Sequence, residues 1–157
     1  MEQRPLEQHD GEMPMKVSAK TEYACIAMLE LALCHPSEEP VRIREIAERH
    51  NVPPRFLVQI LLQLKGAGLV MSVRGAAGGY RLLLPPEKIP LGKVMEVIEG
   101  NLEESGKSSA SKDSPIVQVL WQAWNDVAAS HRRALVGLTL AELIERAKSQ
   151  NEPMYHI

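Results

Sequence analysis

A chain of 157 residues with 45% apolar content and a formal net charge of -2 can bury a core, and it is neither a disordered polyelectrolyte nor a uniformly basic nucleic-acid coat. Two cysteines and five scattered histidines, with no HExxH or CxxC spacing, give no metal-ligand motif, so neither a metal nor a cofactor is expected. No apolar run approaches the roughly 18 residues of a membrane span, and no signal-like segment opens the chain, which predicts a cytoplasmic protein without membrane contact.

In chain order, residues 1–14 are polar, rich in Pro, Gly and acids and without periodicity, and read as a disordered leader. Met15 opens a more coherent stretch and is a candidate translation start. From Ser18 to His35, Ala24, Ala27, Met28 and Leu31 recur at helical spacing until Pro36. Val41–Ile43 predicts a short extended entry to a second helix carrying Ile46 and Ala47, and Asn51-Val52-Pro53-Pro54 a tight turn. Leu57, Ile60, Leu61 and Leu64 then mark a third helix, with Pro54 in its first turn and Gly66 or Gly68 as its stop.

Leu69–Val73 and Tyr80–Leu84 read as strands of a hairpin around Arg74-Gly75-Ala76-Ala77-Gly78-Gly79. A short helix with Leu91, Val94 and Ile98 closes a unit of residues 15–100, and residues 101–114 form a Ser, Lys and Glu-rich loop. Residues 115–150 hold two helices. Val117, Leu120, Trp124 and Val127 of the first follow the three-four-three spacing of a coiled-coil seam and predict a homodimer interface that also takes in Trp121. Trp121 and Trp124 would otherwise line a ligand pocket. Thr139-Leu140-Ala141-Glu142 is a capping box with Leu138 and Leu143 as its staple, for a helix running to about Lys148 that buries Leu140, Leu143, Ile144 and Ala147. Residues 151–157 form a tail.

Two short helices joined by a tight turn, the second amphipathic and followed directly by a Gly-rich hairpin, are the order of a winged helix-turn-helix, giving a mainly α fold with a small β-hairpin wing and a long dimerisation helix. Such a module puts the third helix, from Pro54, into a major groove with Arg55, Gln59 and Gln63 outward; the other reading is a solvated helix face. Arg74 and Gly75 at the hairpin tip suit a narrow minor groove, although a plain turn would need the same glycines. A phosphate-binding loop lacks its Lys-Ser/Thr. Residues 15–92 carry ten basic and seven acidic side chains against eight and thirteen elsewhere, so Lys16, Lys20, Arg42 and Arg44 are candidate phosphate contacts. No Ser-His-Asp, Cys-His or paired-carboxylate arrangement argues for an enzyme.

Met15-Lys16-Val17-Ser18-Ala19-Lys20 with Tyr23-Ala24, Ile46-Ala47-Glu48, Phe56-Leu57-Val58-Gln59-Ile60-Leu61, Gly68-Leu69-Val70 and Val73-Arg74-Gly75-Ala76-Ala77-Gly78-Gly79-Tyr80 resemble the Rrf-two family of winged-helix transcription regulators. The resemblance implies a homodimeric repressor of operator DNA at the bacterial nucleoid, with Gln59 reading a base, Arg74 in the minor groove and Tyr80 at the wing. Val58 stands where the family commonly has an acid. Cluster-binding members carry three cysteines in the loop before the dimer helix; here residues 101–114 hold none, so no cluster is expected.

Cys25 and Cys34, nine residues apart on one helix, point to opposite faces and cannot bridge. Cys34 is the candidate redox thiol, the alternative being a small buried hydrophobe. The tail, with Tyr155 and the terminal Ile157, is similar to that of the family's cysteine-metabolism repressors. That likeness implies a second reading, an adaptor docking into cysteine synthase or another metabolic enzyme; a frayed terminus is the alternative.

Overall fold

The structure is a computed structural model that describes residues 15–100 and 107–151. Helix α1 (Ala19–Cys34) starts where Ser18 accepts a hydrogen bond from the Thr21 amide at 3.1 Å, and a single 3-10 turn at His35–Ser37 ends it at Pro36. It runs through the middle of the core, with Ala24, Ala27, Met28 and Leu31 inaccessible. Thr21, also buried, donates to Glu99 Oε1 at 2.8 Å and so ties the start of α1 to the end of α4 (Leu91–Glu99).

Val41 stands two residues ahead of α2 (Ile43–His50), and the extended entry is shorter than the expected Val41–Ile43 because Ile43 is already helical. The Val41 amide and carbonyl both bond Tyr80, each at 2.8 Å, so a single bridge residue braces the two-stranded hairpin. Asn51 closes α2 in the left-handed region (φ 53°), which its short polar side chain tolerates. Buried Val52 then turns the chain into α3 (Pro54–Gly66), with Pro54 in the first turn, where its missing N–H costs nothing. Leu57, Ile60, Leu61 and Leu64 of α3 are all 0% exposed, as their spacing predicts.

Strands β1 (Val70–Val73) and β2 (Gly79–Leu82) pair antiparallel, Val70 with Leu82 and Val73 with Gly79. The second strand starts at Gly79 and stops at Leu82, where the expected strand was Tyr80–Leu84, although Leu83 still donates to the Leu69 carbonyl at 3.0 Å. Gly79 is required for a steric reason: a Cβ there would lie 2.5 Å from the Val41 carbonyl oxygen.

Helix α5 (Pro115–Gly137) has no fully buried residue within one chain. Its base rests on α4, where a Cβ on Gly92 would come within 3.0 Å of Leu135 Cβ. Helix α6 (Leu140–Asn151) packs back against α1. Leu91 donates to the Leu138 carbonyl at 2.8 Å and Leu140 to that of Ile89 at 3.0 Å, and Leu140 is 0% exposed. The core therefore joins residues that precede and follow residues 101–114. The α6 cap is half of what the sequence predicts: Thr139 Oγ1 accepts from the Glu142 amide at 3.2 Å, but the Glu142 carboxylate pairs with Arg146. The helix also outruns Lys148, and Ala147 is exposed rather than buried.

Candidate nucleic-acid interface

A helix-turn-helix acts only if its helices are held in place, and here α2 is tied to α1 by a buried carboxylate. Glu30 of α1, 4% exposed, accepts from Arg49 and lies 2.9 Å from His50 Nε2, both on the last turn of α2. A charge at that depth requires such partners. The carboxylate in turn holds the Arg49 guanidinium above its ordinary range, chiefly through that hydrogen bond. Sequence reasoning missed the cluster; its signal was an acid inside an otherwise apolar helical run, with an Arg-His pair closing the next helix.

Helix α3 presents Arg55, Gln59 and Gln63 to solvent, and Pro54 is exposed at its tip. The Arg55 guanidinium stands 5.0 Å from the Phe56 ring centroid, and Phe56 meets Tyr23 of α1 with centroids 5.8 Å apart. At the other end, Lys65 Nζ donates to Ser72 Oγ of β1 at 2.8 Å, joining the last turn of α3 to the wing.

The wing tip puts Arg74 and Gly75 in solvent, with Gly75 at φ 108°. It is held by Arg42, whose guanidinium donates to the Ala76 carbonyl, so the side chain expected to touch phosphate is engaged with the loop that carries Arg74. Arg44 is exposed and 3.5 Å from Glu48. Lys16 is exposed and Lys20 half-buried. Tyr80 is half-buried and packs against the core, although it was expected among the DNA contacts.

On α5, Val117 and Trp121 are half-buried within the chain, whereas Leu120, Trp124 and Val127 are 44%, 60% and 67% exposed. With Ile116, 82% exposed, these last three form one apolar flank at spacings of four, four and three residues.

Both cysteines are free. Burial, and secondarily Glu99, pushes the Cys25 thiol up to about 11. Burial and then Glu30 push Cys34 up as well, with Arg49 pulling part of the way back. Neither environment favours the thiolate, which is the reactive and metal-ligating form. Tyr155 and Ile157 of the expected partner-binding tail lie outside the described residues.

Comparison with known proteins agrees with this architecture. The profile of the Rrf2 family, described as iron-dependent transcriptional regulators, matches residues 17–146. The HTH-type transcriptional regulator IscR of Aliivibrio salmonicida is 35% identical over 133 residues, 83% of this chain and 77% of that one. CymR of Bacillus subtilis is 33% identical over 144 residues, 91% of this chain and 100% of that one. The solved structure of the latter, titled the global cysteine regulator, superposes with a TM-score of 0.71 at 33% identity, covering 84% of this chain and 98% of that one. The structure of T. potens IscR gives 0.71 at 34% identity, covering 88% and 93%.

The iron in the family's description can be tested against the donors present. The whole sequence has two cysteines, both on α1 and both held toward the thiol, and no group of His, Cys, Asp and Glu among the described residues could hold a metal ion. That donor set does not fit an iron-sulfur cluster, which needs several converging thiolates. Nor is any described helix long and apolar enough to cross a membrane. With its helical core, two-stranded wing and family match over residues 17–146, the chain belongs to the Rrf2 family of winged-helix transcriptional regulators.

Proposed function

We propose that this regulator is a two-fold dimer that represses transcription by occupying a pseudo-palindromic operator, without a cluster. Each protomer lays α3 in the major groove, with Arg55, Gln59 and Gln63 at base edges and Pro54 at the groove entrance, and sets Arg74 and Gly75 in the flanking minor groove. Lys16, Lys20 and Arg44 supply phosphate contacts, which makes binding salt-dependent through counterion release. Arg42 acts through the wing, holding the loop that presents Arg74. Two protomers join through α5.

The single observation that carries the reading is that the wing is tied to both helices: Arg42, at the start of α2, bonds Ala76 and Lys65 of α3 bonds Ser72. The exposed flank of α5 supports the dimer, since an apolar stripe of this kind marks an interaction surface.

The test is selection of bound duplexes from a random pool by the full chain, repeated with Arg74→Ala. The wild type should enrich an inverted repeat whose half-sites lie about one helical turn apart. The variant should enrich the same core with relaxed flanks and weaker binding. Affinity should not change with chelator or dithionite. Identical selection by both proteins would remove the wing from the mechanism, and loss of binding with chelator would remove cluster independence.

A further inference from the structure

The outward face of α3 is not wholly polar. Val58 is 45% exposed and Leu62 is 56% exposed, one helical turn apart. At about 100° per residue, Leu62 lies about 20° around the helix from Arg55 and Val58 about 60° on the same side, while Gln59 lies about 40° to the other. The buried residues Leu57, Ile60, Leu61 and Leu64 face the opposite way. The two aliphatic side chains thus form a step beside the polar residues, with Arg55 at its start and Lys65 at its end.

A surface framed by cations suits a polyanion. In a duplex major groove the one apolar feature on a base edge is the C5 methyl group of thymine. Val58 and Leu62 can bond neither the N4 amino group of cytosine nor the O4 of thymine, so what distinguishes the two bases for them is the methyl group that cytosine lacks.

We infer that Val58 and Leu62 seat thymine C5 methyl groups in each operator half-site and select thymine over cytosine at those steps, an inference that rests on the major-groove reading proposed above. Apolar contact then carries part of the sequence preference, beside the hydrogen bonds of Arg55 and Gln59.

The test uses the duplex selected by the full-length wild type. Each thymine of a half-site is replaced in turn by deoxyuridine, which removes the methyl group and keeps the pairing, and affinity is read by fluorescence anisotropy at fixed salt. One or two positions per half-site should lose about fourfold, the worth of one buried methyl group. That loss should vanish at the matching position in Val58→Ala or Leu62→Ala. Both variants should melt with the wild type, because the side chains are exposed. A uracil-tolerant wild type, or a penalty that persists in both variants, overturns the inference and leaves DNA binding standing. Variants that change the oligomeric state while binding DNA normally also overturn it, since the step would then be covered by a second copy. Failure of the wild type to select any duplex removes the major-groove reading and this inference together.

Discussion

Trp124 puts a number on the proposed dimer. The side chain is 60% exposed in one chain, which for a tryptophan of about 250 Å² leaves roughly 150 Å² of ring in water. Covering that surface is worth about 4 kcal/mol at about 25 cal/mol per Å², of which an alanine retains a minor part. Trp124→Ala should therefore remove about 3 kcal/mol per protomer. A two-fold interface counts the loss twice, about 6 kcal/mol at most, because such costs are not additive. The dimer Kd should rise by about 10²- to 10⁴-fold. Sedimentation velocity at micromolar concentration should find the wild type dimeric and the variant monomeric, with unchanged circular dichroism. Dilution of the wild type should shift its tryptophan emission to the red, since both tryptophans lie on α5. A monomeric wild type at tens of micromolar, or a variant that dimerises as well as the parent, would refute the reasoning.

Other outcomes follow from local chemistry. Gly79→Ala drives a Cβ against the Val41 carbonyl 2.5 Å away and should cost about 2 kcal/mol or more in urea denaturation, with the wing loosened first. Glu30→Leu strips Arg49 and His50 of their buried anchor; hydrogen exchange should show α2 opening at lower free energy, and operator affinity should fall although no proposed DNA contact has changed. Cys25 has a folded pKa raised from 9.0 to about 11, so its contribution is fully present below about pH 9 and is lost as pH rises toward 11. Over that window, chemical denaturation should lose on the order of 2 kcal/mol more for the wild type than for Cys25→Ala. At pH 7 iodoacetamide should alkylate Cys25 and Cys34 more slowly than a free thiol, and rapid labelling of Cys34 would favour it as a redox thiol.

Much of the fold is legible because burial and period coincide. Leu57, Ile60, Leu61 and Leu64 repeat at helical spacing and are all inaccessible, and the turn at Asn51 and the stop at Pro36 rest on backbone restrictions that short segments reveal. What stays hidden is pairing between distant positions. Thr21 with Glu99 and Val41 with Tyr80 are set by tertiary packing, and nothing local at either partner announces the other, while Glu30 stands out as an acid in an apolar run without the sequence naming its partner. Arg42 and Tyr80, both expected at DNA, also have neighbours within the chain that their local sequence does not show. In three dimensions the first grips a carbonyl of the wing tip and the second packs on the core. The apolar flank of α5 is partly legible: Leu120, Trp124 and Val127 are exposed as a seam should be, but Val117 and Trp121 already shield themselves within the chain, which shifts the open edge toward Ile116.

The seating of Leu135 against Gly92 makes α5 a lever. Its 23 residues extend about 35 Å from a fulcrum on the DNA-binding body, so a tilt of about 5° at the base swings the far end by about 3 Å. If two such arms join the protomers, the spacing between the reading heads is governed from that pivot. A bulkier residue at 92 would retune which half-site separation the pair can span without touching any base-reading side chain.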